Sequence, residues 1–234
     1  MPAPQYMTRV QNDINEKMRG ILIDWLIDVH LKFKLVPETL YLTVNLIDRY
    51  LSHVAIPRQK LQLVGVSSML IACKYEEIYP PEVKDFEYVT DKAYTREEIL
   101  DMEGKMLHCF NFNLTMTSSY RFLERFARVC RFDERSFNLA RYLLELALIE
   151  FKMIKYVPSN LACSAIYLVN KLEKRDAWPD YMVNHTKYNE IQLRAAAKDF
   201  CLLLQNAGKG TLQAVKRKFS STKFLEVAKI QWDR

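Results

Sequence analysis

The side chains in this chain that could do chemistry are few, and their spacing decides what they can do. Histidines stand at 30, 53, 108 and 185, and cysteines at 73, 109, 130, 163 and 201. A helical metal site needs histidines at i and i+4, and a zinc ribbon needs Cys-x-x-Cys. Neither spacing occurs, so no metal is expected. His108 and Cys109 have the residue types of a base and a nucleophile, but neighbours on a helix point about 100° apart and do not face each other. "GKGT" at 208–211 looks like the end of a phosphate loop, yet no glycine precedes it at the required spacing and no strand leads into it. No cofactor is expected either. Carboxylate pairs such as Glu76–Glu77 sit at helix ends, where solvated charge accounts for them. That leaves "ACKYEEIYPPEV" at 72–83, where an apolar stretch, Leu63 to Cys73, ends abruptly in Lys74. A lysine offers three donors to carbonyl groups and a carboxylate accepts from N–H groups. This is the chemistry of binding, although position alone favours a plain surface lysine.

The elements that must position these groups read almost entirely as helix. Half of the 234 residues are hydrophobic and 26% are charged, an ordinary globular balance, and only five glycines occur, against a turn-rich β protein. No apolar run approaches the roughly 20 residues of a membrane helix. The start, "MPAPQYMTRV", lacks the basic and apolar regions of a secretory signal. An odd number of scattered cysteines then implies free, buried thiols in a reducing compartment. The net charge is +6, and its densest spot, "VKRKF" at 215–219, reads as a solvated face rather than a nucleic-acid patch.

Asp13 and Glu16 have capping-box spacing and predict a helix to about Lys34. It is apolar on most sides and is expected to be central. Pro37 opens a second helix, to about Ser52. A third runs from about Pro57 to Glu77, its Gly65, Ser67, Ser68 and Ala72 inviting close approach of another helix. Pro80 and Pro81 precede a short fourth, and Thr95 with Glu98 caps a fifth, to about Asn111. The order then repeats about 95 to 100 residues later: "TSSYRFLERFARVCRF", "DERSFNLARYLLELALIEF", "VPSNLACSAIYLVNKLEK", "WPDYMVNHT" and "NEIQLRAAAKDFCLLLQNA". Two copies of a five-helix unit, without a reactive cluster, point to a binding module rather than an enzyme.

"MRGILIDWLIDVH" at 18–30 resembles the opening signature of the cyclin box. "TLYLTVNLIDRYL", "KLQLVGVSSMLIACKYEEIYPPEV" and "YTREEILDMEGKMLHCFNFNL" continue the match in order. The resemblance is most like the mitotic B-type branch, with an A-type cyclin as the near alternative. It implies an all-α fold of two tandem five-helix cyclin boxes. A short N-terminal segment (1–13) would precede the first box (14–115) and second box (116–210), and a C-terminal helix and tail (211–234) would follow. Family members usually carry a longer N-terminal region with a destruction signal, so a fragment is expected here.

The resemblance also implies the partners: a cyclin-dependent protein kinase, together with substrates and inhibitors that carry docking motifs, in nucleus and cytoplasm and without a membrane. Lys74 and Glu103 would bind main-chain groups flanking the kinase's mobile C-helix. Tyr75, Leu107, Phe112 and Leu114 would surround them, and Tyr6 and Met7 would add contacts from the N-terminal segment. Met18, Ile21, Leu22 and Trp25, with Leu61 and Gln62, would form a shallow groove for Arg-x-Leu-type segments, and Asp28 would receive their basic side chain. Arg19 paired with Asp48 would be architecture. The rival class is a cyclin-fold transcription factor that holds DNA, which the +6 charge leaves open.

Overall fold

The computed structural model describes residues 2–230, and among them twelve α-helices and four 3-10 turns occur without a strand. The chain divides into two compact units, Met1–Met116 and Thr117–Arg234. In the first, a single turn, α1 (Tyr6–Arg9), precedes α2 (Glu16–Lys32), α3 (Pro37–Leu51), α4 (Leu61–Glu76), α5 (Val83–Val89) and α6 (Arg96–Cys109). The second repeats the five-helix order as α7 (Ser119–Val129), α8 (Glu134–Ile149), α9 (Pro158–Leu172), α10 (Asp180–Thr186) and α11 (Glu190–Asn206), then adds α12 (Ala214–Phe219).

Local chemistry sets most of these starts. Pro37 and Pro158 occupy the first turns of α3 and α9, where a missing N–H costs nothing. Thr95 and Glu98 bond reciprocally, Glu98 N donating to Thr95 Oγ1 at 3.2 Å and Thr95 N to Glu98 Oε2 at 3.1 Å. The expected cap of α2 is corrected. Asn15 holds that position, its Oδ1 accepting from Met18 N at 3.0 Å. Asp13 is engaged elsewhere, accepting from Arg58 N at 2.8 Å and Arg58 Nε at 2.7 Å. A guanidinium that offers two donors is the stronger partner for a carboxylate.

The expected central helix is also corrected. The buried axis of the first unit is α4, in which every residue from Leu63 to Cys73 is buried and which packs on α2, α3, α5 and α6. α2 lies to one side, with Ile21 half exposed. Gly65 makes this approach possible, because a Cβ there would stand 2.7 Å from Leu22 Cδ1.

Among the described residues each unit contains a fully buried ion pair. In the first, Arg19 Nε donates to Asp48 Oδ1 at 2.6 Å and Nη2 to Oδ2 at 2.7 Å, both side chains almost fully buried. Burial opposes the guanidinium's charge, but the Asp48 carboxylate outweighs it and raises the Arg19 pKa above its ordinary value. Tyr6 completes the site. Its hydroxyl donates to Asp48 Oδ1 at 2.8 Å and its ring is fully buried, so the expectation that Tyr6 faces a partner is wrong. Burial first, and then the carboxylate, push its phenol well above the usual range. In the second unit Lys218 Nζ donates to both Glu145 oxygens at 2.7 Å, and neither side chain reaches solvent appreciably. "VKRKF" is therefore no uniform solvated face, since its second lysine, Lys218, is the buried partner of Glu145 on α8. Burial holds the Lys218 ammonium below its ordinary pKa. Beside it the Arg141 guanidinium lies 5.2 Å from the Phe224 ring centroid and 5.4 Å from that of Tyr120.

Candidate functional site

Lys74 lies in the last turn of α4, and Glu103 on the side of α6 that faces α4. Lys74 Nζ donates to Glu103 Oε1 and Oε2, both at 2.8 Å. The lysine side chain is 47% exposed and the glutamate 12%. Two of the three ammonium protons are thus used within the chain and one is left over, while each carboxylate oxygen retains acceptor capacity. The pair is already assembled at the surface and can still bond a partner's backbone.

The end of α4 is fixed from a distance. Glu77 Oε1 accepts from Val36 N at 2.8 Å and from the Thr39 hydroxyl, capping α3, whose own N-cap residue is a valine. The reading of Glu76–Glu77 as plain solvated charge fails for Glu77. This carboxylate ties the Lys74 end of α4 to the start of α3.

The surrounding side chains include large apolar groups that the fold does not cover. Tyr75 is about half exposed, and its hydroxyl lies 2.8 Å from Thr115 Oγ1. Leu107 and Leu114 are half-buried. Phe112 is 63% exposed and sits at φ 58°, following Asn111 at φ 49°. Left-handed backbone costs a bulky L-residue roughly 1–2 kcal/mol. Here Phe112 N→Leu107 O at 2.9 Å and Arg49 Nη2→Asn113 O at 2.7 Å hold it. The chain thus holds a largely exposed aromatic ring on a strained turn, its ring edge-on to His108. Ile78 and Tyr79, which sequence reasoning did not single out, are 87% and 91% exposed in the loop after Lys74. The signal was available: an apolar pair between two glutamates and two prolines has no helix to bury it.

The second candidate site is a groove of about 340 Å³ lined by Met18, Ile21, Leu22, Trp25, Leu61 and Gln62. Six of the seven residues expected there come together. Asp28 does not line it. It sits farther along α2 in an adjoining hollow with Lys32, Tyr88 and Asp91, which shares only Trp25 with the groove. Arg58 was missed and lines the groove, its guanidinium 2.6 Å from Asp13 and 60% exposed. Its hydrogen bonds hold the Asp13 carboxyl below the usual range.

His108 and Cys109 are consecutive at the end of α6, and burial raises the Cys109 thiol above its ordinary value. Cys73 and Cys163 are buried, and burial pushes each thiol up to about 12. Among the described residues no cluster of three metal-ligating side chains occurs, and no helix is long and apolar enough to cross a membrane. "GKGT" falls in the turn after α11.

The first five-helix unit thus carries a preformed Lys–Glu pair at the exposed end of α4, and an apolar groove that includes the first residues of the same helix. The family model described as "Cyclin, N-terminal domain" matches residues 1–115 and "Cyclin, C-terminal domain" matches residues 117–232, and the chain belongs to the cyclin family. It is 46% identical over 229 residues to Cyclin-B2-3 of Arabidopsis thaliana, covering 97% of this chain and 53% of that one. It is 45% identical over 229 residues to Cyclin-B2-1 of Oryza sativa subsp. japonica, covering 97% and 54%. Identity to Cyclin-A1-1 of Arabidopsis thaliana is 45% over 235 residues, covering 97% and 51%. The chain spans about half the length of these curated relatives. Its fold matches a viral cyclin from herpesvirus saimiri with a TM-score of 0.73 at 18% identity, over 84% of this chain and 90% of that one. It also matches a chain in the yeast RNA Pol II CTD kinase CTDK-1 complex with a TM-score of 0.73 at 14% identity, over 91% and 73%.

Proposed function

We propose that the chain is the non-catalytic regulatory part of a B-type cyclin, which binds and activates a cyclin-dependent protein kinase and recruits its substrates around G2/M, in nucleus and cytoplasm. The observation that carries this is the Lys74–Glu103 pair, assembled at 2.8 Å among exposed Tyr75 and Phe112. The free kinase holds its C-helix turned out, with its own catalytic Lys–Glu pair broken. A partner that binds only the turned-in state shifts the population toward it and moves the activation loop off the substrate site. Lys74 donates to carbonyls and Glu103 accepts from N–H groups at the ends of that helix. The apolar rim excludes water, so each charge-assisted bond contributes about 1.5–3 kcal/mol.

The test is capture of a panel of cyclin-dependent kinases by the purified chain, beside a DNA-binding assay at physiological salt. Kinase capture with stimulation of histone phosphorylation is expected. Salt-sensitive DNA binding without kinase capture would move the chain to the transcription-factor class. The 45% identity to Cyclin-A1-1 supports a second reading, an A-type role, which peak associated kinase activity in S phase rather than at mitosis would select.

The groove gives substrates a second point of contact. Met18→Ala, Leu22→Ala and Trp25→Ala combined are expected to leave kinase binding intact. Phosphorylation of substrates with an Arg-x-Leu segment should weaken, and motif-free peptides should be spared. Equal loss on both would mean the groove is not a separate site.

Gly65 supplies a finer test. Gly65→Ala gains about 1 kcal/mol of helix propensity, which offsets an overpacking cost of about 1–3 kcal/mol. Stability should therefore fall by no more than about 2 kcal/mol. The new methyl must displace Leu22 at the groove floor and weaken an Arg-x-Leu peptide about three- to tenfold in a titration. Unchanged peptide affinity would show that Leu22 does not shape the site.

A further inference from the structure

At Lys74 the surface opens into a cavity of about 530 Å³ that shares no lining residue with the groove. Lys74, Lys84 and Arg96 line it over a floor that includes Leu70 and Val83, with Glu82 as the one carboxylate among the lining residues. Glu82 is already taken, 2.8 Å from Lys84 Nζ, and Lys74 is held by Glu103. Among the described residues Arg96 has no ion-pair partner. Arg96 is also the first residue of α6, where the helix dipole disfavours a cation and favours an anion. Arg96 is thus a cation placed against the dipole, on the wall of a cavity with two further cations.

We infer that this cavity is an anion subsite of the partner interface, which takes an aspartate or glutamate side chain of the kinase segment that lies against Lys74. The inference rests on the proposed kinase-binding role and extends it. Lys74 belongs to both the cavity and the Lys–Glu site, so a chain crossing the one passes the mouth of the other. The walls carry three cations and one anion, the complement of an acidic side chain. The apolar floor lowers the local dielectric and strengthens that attraction relative to open water. The third ammonium proton of Lys74 and the uncommitted guanidinium of Arg96 are the donors such a carboxylate would meet.

The test is titration of Arg96→Glu, Arg96→Lys and Lys74→Ala with the kinase that the capture panel selects, at low and physiological salt. A melting curve of each free variant accompanies it. Arg96→Glu should fold normally, because a glutamate in the first turn suits the dipole. It should bind the kinase about tenfold or more weakly at low salt, with a flattened salt dependence. Arg96→Lys should keep most of the affinity. Wild-type affinity of Arg96→Glu at low salt, with Lys74→Ala impaired, would overturn the subsite and leave the kinase interface standing. Wild-type affinity of both would overturn the subsite together with the interface. If phosphatase treatment of the kinase removes the difference between Arg96→Glu and wild type, the bound group is a phosphate and the assignment to a carboxylate side chain falls.

Discussion

Arg19→Ala is expected to destabilise the first unit by about 3–5 kcal/mol, a large share of what a domain has. The guanidinium makes two bonds of 2.6 and 2.7 Å to Asp48 with 1% of its side chain exposed. Truncation removes both, leaves a buried carboxylate with only the Tyr6 hydroxyl as a strong partner, and opens a cavity where a long side chain stood. Arg19→Lys is no substitute, because an ammonium cannot reproduce the two-pronged geometry. Arg19→Met with Asp48→Leu should cost less than either truncation, since no charge is stranded. Urea unfolding gives the magnitude, and amide hydrogen exchange on α2, α3 and α4 shows that the loss falls in this unit. A midpoint within experimental error of wild type for Arg19→Ala would mean that packing alone holds these helices.

What could be read from the chain alone follows from how far apart the partners stand. Thr95 and Glu98 cap α6 from within one turn, and Pro37 and Pro158 announce their helices on sight. That Lys74 and Glu103 lie together, and that six of the seven expected groove residues meet, was legible because the motifs that carry them are long. Partnerships across many residues were not. Glu77 caps α3 across 41 residues, Asp13 leaves α2 for Arg58 across 45, and Lys218 crosses 73 to reach Glu145. In each case a charged side chain had a plausible local role, and tertiary packing offered a better one. Tyr6 shows the same effect. In a polar N-terminal stretch it reads as a surface aromatic, yet the Asp48 carboxylate accepts its hydroxyl and draws it inside. Ile78 and Tyr79 failed differently, because isolated apolar residues in a loop are common and only their near-complete exposure beside Lys74 marks them.

At the interface itself, Lys74→Ala and Glu103→Ala are each expected to weaken kinase binding by about 2–4 kcal/mol, roughly 30- to 1,000-fold. The free chain should hardly notice. The pair lies at the surface with the lysine half exposed, and such pairs contribute about 0–1 kcal/mol to folding. In the complex the balance reverses, because losing one partner strands backbone groups of the kinase that have already left water. The two losses should be less than additive. Lys74 and Glu103 are bonded to each other at 2.8 Å, so each holds the other in place, and on the proposed function both would brace one segment of the kinase.

The most direct measurement is a double-mutant cycle of Lys74→Ala and Glu103→Ala on affinity for the captured kinase, with a melting curve on each free variant. The expected result is unchanged melting, a 30- to 1,000-fold loss for each single variant as estimated above, and a double variant little worse than the weaker single one. Normal folding with undiminished kinase affinity would contradict it and leave Lys74 as no more than the solvated end of a buried helix.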